Sequence, residues 1–110
     1  MSESESIAVF MTASTAEEAD RLAEMLIEKR LAACVQIIPQ MKSVYRWRGN
    51  VERSSEILLI AKTVNSRFSE LEKEVKALHS YETPEIVALT ITAGSSSYLD
   101  WLRTSVQENS

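Results

Sequence analysis

The chain has little cysteine, histidine, glycine or proline. Its 110 residues contain one cysteine, one histidine, two glycines and two prolines. The lone cysteine, Cys34, excludes an internal disulfide framework and is typical of a reducing compartment. The sequence has no glycine-rich phosphate loop, and one histidine is too few for a closed metal site of three or four histidine and cysteine ligands. Nothing in it predicts catalysis.

The chain also lacks long apolar runs and any excess of positive charge. Its net charge is −4, and basic residues are interleaved with acidic ones, so no stripe suited to nucleic-acid phosphates appears. No apolar run approaches the roughly 20 residues that span a bilayer. The polar start MSESES is unlike the basic and apolar start of a secretory signal. We expect a cytoplasmic protein with no nucleic-acid or membrane partner.

What the chain does have is a long β-hairpin in Ser43–Lys62. Gly49-Asn50 is a residue pair that accepts the positive φ angles of a tight hairpin loop. With the first arm extended back to Ala33, the ribbon exceeds the usual strand of about five or six residues and overhangs the core, so we expect it to serve assembly. Because strand side chains alternate, the first arm has two distinct faces. These are Met41, Ser43, Tyr45 and Trp47 on one side, and Lys42, Val44, Arg46 and Arg48 on the other.

Periodicity predicts the element order βαββαβ, followed by a further helix. The first strand is Ile7–Ala13, the returning hairpin arm is Val51–Val64, and the last strand is Glu85–Thr92. Pro39 cannot donate a ladder hydrogen bond, so it predicts an edge position or a bulge in the first hairpin arm.

Three segments predict helices. The first begins at a capping box, formed either by Ser14 with Glu17 or by Thr15 with Glu18. Asn65-Ser66 is predicted to cap the second helix. The last helix contains Tyr98, Leu99, Trp101, Leu102 and Val106.

This order predicts an α+β domain of the ferredoxin-like, split βαβ type. Such a domain has one four-stranded antiparallel sheet with two helices on one face. The second sheet face is then left for something else to bury. We expect one domain over residues 7–110, preceded by a flexible tail of residues 1–6.

His79 is the only imidazole, and imidazole is a common ligand of copper and zinc. It lies in a loop with Glu82 and Glu85, but such loosely spaced carboxylates do not form a tight metal motif. A solvated or hydrogen-bonded loop histidine is therefore the alternative. Cys34 is expected to be a buried, inert thiol.

Lys62 follows the apolar run ILLIA, where an unpaired ammonium is costly to bury. We expect Glu82 or Glu85 as its partner, in an intersubunit ligand-binding cleft that also contains Tyr81. A structural ion pair is the alternative. Three other aromatic residues are expected at a subunit interface, with stacking on a ligand as the alternative: Tyr45, Trp47 and Trp101.

Four segments together resemble the CutA family, the divalent-cation tolerance proteins. They are LAACVQIIP (Leu31–Pro39), SVYRWRGNVERSSEILLIAKT (Ser43–Thr63), HSYETPEIVAL (His79–Leu89) and SYLDWL (Ser97–Leu102), and the likeness extends from Ile7 to Val106. The resemblance implies the ferredoxin-like fold shared with PII-like signalling proteins. It also implies a tight homotrimer in which the long hairpins reach across subunits, and a link to copper and divalent-metal tolerance.

Carried onto this sequence, the metal site proposed for the family becomes His79 and Met11, with copper or another divalent cation as the ion. Some bacterial members have a cysteine where this chain has Met11, and a second histidine where it has Leu78. The family commonly reads His-Pro-Tyr-Glu where this chain has Ser80 in second place, so the loop loses a proline's rigidity. The resemblance therefore implies a metal site with fewer ligands than a Cys-His-His site.

These observations predict a non-enzymatic, cytoplasmic homotrimer that binds copper or other divalent ions and contributes to metal tolerance. Two alternatives stay open. One is a PII-like module that binds a small molecule in an intersubunit cleft at Lys62, Tyr81, Glu82 and Glu85. The other is a structural trimer that anchors a partner protein.

Overall fold

The computed structural model describes residues 2–107, which form four strands and three α-helices. Met1 and residues 108–110, at the ends of the predicted tail and domain, lie outside the described residues. The strands are β1 (Ser6–Ala13), β2 (Cys34–Trp47), β3 (Asn50–Val64) and β4 (Ile86–Thr90). The helices are α1 (Ala16–Glu28), α2 (Phe68–Leu78) and α3 (Ser96–Ser105).

The four strands form one antiparallel sheet in the order β2-β3-β1-β4. Two split βαβ units, β1-α1-β2 and β3-α2-β4, interleave in this order, which confirms the predicted ferredoxin-like fold. β4 is shorter than the predicted Glu85–Thr92. One further bond to β1 follows the strand, because the Ile91 N–H donates to the Ser6 carbonyl.

One half of a predicted capping box, that of Thr15 with Glu18, forms at the start of the first helix. Thr15 is the N-cap, and its hydroxyl accepts a 3.0 Å hydrogen bond from the Glu18 N–H. Ser14 instead donates to the Glu18 carboxylate. The predicted cap of the second helix is wrong, because Asn65–Arg67 forms a 3-10 turn and α2 begins directly after it without a side-chain cap bond.

The core lies between α1, α2 and one face of the sheet. Strand alternation sends every second residue of β1 into this core. The register places those residues beside inward-facing residues of β3, such as Val9 opposite Ala61 and Met11 opposite Leu59. The fully buried core side chains include Ile7, Val9, Met11, Leu22, Leu26, Leu59, Leu71 and Val75.

The opposite sheet face, called the outer face below, is apolar but largely uncovered by helices. Its residues are aligned by the register in rows that cross the sheet, such as Val87–Phe10–Ile60 and Leu89–Ala8–Lys62–Cys34. Among its large side chains, Val87 is 50% exposed, Leu89 49% and Ile38 45%.

Helix α3 covers one end of the outer face. The Tyr98 hydroxyl lies 3.6 Å from Cys34 Sγ, and the Tyr98 ring centroid lies 5.9 Å from Lys62 Nζ. Leu102 and Val106 are buried there beside Val64. The rest of the outer face is open within the described chain.

The hairpin is as long as predicted, but its loop lies one residue earlier. Trp47 pairs with Asn50, so the two loop residues are Arg48 and Gly49, with φ of +51° and +86°. A type I′ hairpin loop needs positive φ at both central residues, and here Arg48 adopts one of them. The register shift between Ile38 and Met41 confirms the bulge predicted at Pro39, on a strand that is also an edge of the sheet.

Candidate functional site

A buried histidine and a buried glutamate join the start of α1 to the loop after α2. His79 follows α2 directly, and Glu18 lies in the first turn of α1. Their side chains are 0% and 3% exposed, and His79 Nδ1 lies 3.5 Å from Glu18 Oε2. The Glu18 carboxylate accepts hydrogen bonds from the Ser14 N–H (2.9 Å), the Ser14 hydroxyl (3.0 Å) and the Ser80 N–H (2.7 Å). These bonds fix the start of the loop that follows α2.

The Glu18 carboxyl is held in its charged form. Burial of this group acts to raise its pKa, because a charged carboxylate loses hydration. Hydrogen bonds from the N–H groups of Ser14 and Ser80, and from both serine side chains, outweigh burial and lower the pKa of Glu18 to about 2. Glu18 is therefore a structural anion that is satisfied by donors rather than by a cation.

Both ring nitrogens of His79 are used within the protein. Nδ1 accepts a 3.0 Å hydrogen bond from the Tyr81 N–H, so the ring proton belongs on Nε2. Nε2 then donates to the Thr12 carbonyl at 2.7 Å. A metal ligand must offer an imidazole lone pair. In this conformation the ring offers none, so His79 matches the alternative of a hydrogen-bonded loop histidine.

A second buried carboxylate, Glu56 on β3, faces the same loop. Its Oε2 accepts a 2.8 Å hydrogen bond from the Tyr81 hydroxyl. Burial raises the pKa of Tyr81, and the hydrogen bond to Glu56 raises it further, so the phenol keeps its proton and acts as donor. Glu56 itself is only 7% exposed. Among residues 2–107 it forms no ion pair, and no donor other than Tyr81 reaches its carboxylate.

Glu56 and Tyr81 line a cavity between the hairpin and the loop after His79. The cavity has a volume of about 660 Å³. The register places Met41 opposite Glu56, Tyr45 opposite Glu52 and Trp47 opposite Asn50, which confirms the predicted aromatic face of the hairpin. That face forms one wall and the loop forms the other. The lining residues that bear on its chemistry are Tyr45, Trp47, Glu56, Tyr81, Glu82 and Glu85.

The charge of this cavity is negative. Glu56, Glu82 and Glu85 line it, and no lysine or arginine is among its lining residues in the described chain. Arg48, in the hairpin loop, lies 3.6 Å from Glu82, but both side chains are more than 70% exposed. This exposed ion pair contributes little to stability, and it leaves the carboxylate of Glu56 without a neutralising charge.

The structure divides the predicted ligand cleft into two places. Tyr81, Glu82 and Glu85 line the cavity, as a group, but Lys62 does not. Lys62 Nζ donates to Gln36 Oε1 at 2.7 Å, and it does not pair with Glu82 or Glu85 of its own chain. The reason is distance, because Lys62 lies six residues beyond Glu56 on β3, roughly 20 Å away. An encounter of Lys62 with another subunit's loop stays a prediction.

The predicted metal residues do not form a ligand cluster. Met11 is a fully buried core residue, and His79 has both nitrogens hydrogen-bonded. No group of three histidine, cysteine or carboxylate side chains that could hold a metal ion occurs among residues 2–107. Cys34 is half-buried on the outer face rather than fully buried as predicted, because β2 is an edge strand and only α3 covers it.

Sequence reasoning missed the two carboxylates that organise this site. The sequence pattern predicts Glu18 only as part of a capping box, whereas its side chain reaches back past Thr15 to Ser14. Glu56 directly precedes the apolar run ILLIA on β3, and that position was the available signal of a buried charge. The predicted interface residues Tyr45, Trp47 and Trp101 are 43%, 42% and 48% exposed in the single chain.

The fold and the site together define a class of protein. It is a ferredoxin-like α+β domain with an overhanging hairpin, in which a histidine–carboxylate network holds a loop against a cavity. The sequence profile described as "CutA1 divalent ion tolerance protein" matches residues 7–105. The chain therefore belongs to the CutA1 family.

Individual relatives agree with this assignment. The divalent-cation tolerance protein CutA of Thermus thermophilus is 50% identical over 95 residues, which cover 86% of this chain and 92% of that protein. The chloroplastic protein CutA of Arabidopsis thaliana is 45% identical over 102 residues, but these are 93% of this chain and 56% of that protein. The solved structure of CutA1 from Oryza sativa has a TM-score of 0.92 at 45% identity and covers 96% of both chains.

The names of the relatives do not point to one compartment. One is called chloroplastic, and the solved structure from Archaeoglobus fulgidus, with a TM-score of 0.90 at 44% identity over 93% of this chain and 99% of that one, is called periplasmic. Within the described part of the chain, no helix has the length and apolar character needed to cross a membrane.

Proposed function

We propose that the protein is a cytoplasmic homotrimer that contributes to divalent-cation tolerance, with its outer face buried between subunits. The family assignment supports the physiological role, and the uncovered outer face supports the assembly. Val87, Leu89 and Ile38 expose about half of their surface there. Continuous apolar surfaces of this kind mark interaction sites, and those of obligate oligomers are the most apolar.

The hairpin supports the same assembly. The molecule measures 44 Å along its longest axis, against 26 and 23 Å along the others. A two-stranded ribbon that projects from a small core is marginal in water unless something packs on it. Its half-exposed Tyr45 and Trp47 are suited to contact a neighbouring subunit.

Mutation of the outer face tests the trimer. Leu89→Glu places a charge in the proposed interface, whereas Ile27→Glu changes a residue of similar exposure, 43% against 49%, on α1. Light scattering at low micromolar concentration is expected to give three times the 12.4 kDa chain mass for the wild type and for Ile27→Glu. Leu89→Glu is expected to give a smaller mass. A monomeric wild type would refute the proposal.

We propose further that copper and other divalent ions bind weakly, without a closed site. The support is chemical: His79 is committed to two hydrogen bonds, and tight sites need three or four converging ligands. A non-enzymatic role fits the same geometry. In the sheet, Cys34 lies opposite Lys62 of β3. His79 hydrogen-bonds Thr12, which lies opposite Leu58 of β3. The cysteine and the histidine are therefore roughly 13 Å apart along β3 and cannot form a nucleophile pair.

A second candidate function is the binding of a small molecule. The cavity beside Glu56 favours it, because a volume of about 660 Å³ with aromatic walls and a few polar groups is typical of ligand pockets. Calorimetric titration with one cationic and one anionic small molecule tests this candidate. If neither ions nor small molecules bind, the remaining candidate is a structural trimer that anchors a partner protein.

A further inference from the structure

The buried carboxylate of Glu56 has no cationic partner among the described residues. The Glu56 residue is only 7% exposed, and its only hydrogen bond within the described chain comes from the neutral hydroxyl of Tyr81. Transfer of a carboxylate from water into a protein is costly unless a positive group and further donors compensate. Glu18, by contrast, has three hydrogen bonds that compensate for its burial. Glu56 Oε1 has no donor in the described chain and, unlike the fully buried unpaired hydroxyls of Ser6 and Thr63, it stays accessible to solvent, so a ligand can reach it.

The surroundings of Glu56 define what would complete the site. Three aromatic side chains, Tyr45, Trp47 and Tyr81, line the same cavity, and aromatic ring faces attract cations. Glu82 and Glu85 add negative charge at the wall. A phosphate-bearing or other anionic ligand would face three lining carboxylates, and the one nearby cation, the exposed Arg48 beside Glu82, is not a lining residue of the described chain.

We propose that this cavity binds a small organic ammonium cation, a protonated amine whose N–H donates to Glu56 Oε1 while its carbon chain packs on Tyr45 and Trp47. The proposal rests on the small-molecule function and gives its ligand class. A bare divalent ion is not favoured at the same place, because it needs several converging oxygen ligands and the described chain has no such cluster.

Calorimetry with the protein in the oligomeric state that light scattering finds tests the proposal, and 1,4-diaminobutane serves as the probe. The wild type is expected to bind it, whereas 1,4-butanediol, of the same chain length but uncharged, is expected not to bind. Glu56→Gln keeps the shape of the side chain and the acceptor for Tyr81 but removes the charge. It is expected to weaken amine binding at least tenfold.

Glu52→Gln is the matched control. Glu52 lies on the same face of β3, opposite Tyr45, but it does not line the cavity, so its replacement is expected to leave amine affinity unchanged. A second measurement does not depend on affinity. Without ligand, Glu56→Gln is expected to unfold at the same or a higher temperature than the wild type, because a largely buried carboxylate without a cationic partner has been removed. It is also expected to lose the stabilisation that the amine gives the wild type.

Three outcomes would overturn the inference in distinguishable ways. Binding of adenosine triphosphate but not of the amine would refute the ligand class and leave the small-molecule function standing. Binding of neither probe would refute both. Dissociation of the Glu56→Gln trimer would show that a basic side chain of a second copy, rather than a free amine, completes the site.

Discussion

The N–H of Ser80 donates a 2.7 Å hydrogen bond to the buried carboxylate of Glu18. This bond links the loop after α2 to the first turn of α1, and the same loop presents Tyr81 to Glu56 at the cavity wall. A proline at the position of Ser80, which the resemblance implies for many family members, would have no N–H to donate. With serine in place of proline, the loop is less rigid but has an N–H that donates to the buried carboxylate of Glu18.

Replacement of Ser80 by proline is expected to destabilise the protein. The change removes a donor from a buried carboxylate, at a cost of about 1–3 kcal/mol, which exceeds the gain of about 0.4–1 kcal/mol from a stiffer unfolded chain. Ser80→Ala keeps the N–H and is the matched control. Chemical denaturation of the two variants measures the difference, and a proline variant more stable than the alanine one would contradict the expectation.

Acid is expected to unfold the protein in part through Glu18. Its pKa is lowered from 4.5 to about 2 in the folded state, so its stabilising contribution is complete above pH 4.5 and is lost as the pH falls towards 2. The contribution is about 3 kcal/mol, from about 1.4 kcal/mol for each pH unit. Denaturation curves between pH 7 and 2 should show this loss in the wild type and in the exposed-site control Glu17→Gln. In Glu18→Gln the loss should be smaller, and an unchanged acid dependence would exclude Glu18 as its source.

The hairpin loop is expected to be sensitive to the residue at position 49. Gly49 has a φ of +86°, and a Cβ there would meet no atom within 4 Å, so any cost of Gly49→Ala comes from the backbone alone. That cost is expected to be about 1–2 kcal/mol in the free energy of unfolding. Gly49→Asn should cost less, because asparagine tolerates the left-handed conformation better. Equal stability of the glycine and alanine proteins would contradict the loop geometry.

Copper uptake is expected to be weak and to change little on His79→Ala. The imidazole can bind a metal only if the hydrogen bond from the Tyr81 N–H to Nδ1 opens, or if Nε2 loses the proton that it donates to the Thr12 carbonyl. Titration of copper into both proteins checks this, with circular dichroism to confirm that the variant is folded. A strong chelator should leave the melting temperature of the wild type unchanged. A clear loss of copper uptake in the variant would assign the site to His79 after all.

Trp47→Ala is expected to weaken the trimer. Trp47 is 42% exposed in the single chain, and truncation of an aromatic side chain that becomes buried costs about 3–5 kcal/mol. Arg53→Ala changes the same hairpin on its other face, opposite Val44, and is the control. Concentration-dependent melting compares the two. Unchanged melting of Trp47→Ala would leave Trp47 as part of the cavity wall only.

The sequence by itself determined the order of the elements and much of their detail. Alternation of side chains correctly predicted the aromatic face of the hairpin, and Pro39 predicted the bulge. The Thr15 cap was one of two predicted alternatives. These features follow from residues within a few positions of one another, where periodicity and local hydrogen bonding decide the conformation. The ferredoxin-like fold could be predicted for the same reason, since it follows from the element order.

Only the tertiary structure decided which charges meet. Glu18 and Ser80 are 62 residues apart in sequence, and Tyr81 and Glu56 are 25 apart, so no local pattern reports their contact. The sequence also could not show that, within one chain, Lys62 lies roughly 20 Å along β3 from Glu56, the part of the strand that meets the loop. A buried charge takes the donor that packing brings within about 3 Å, and that distance is fixed by the whole sheet rather than by the neighbours of any one residue.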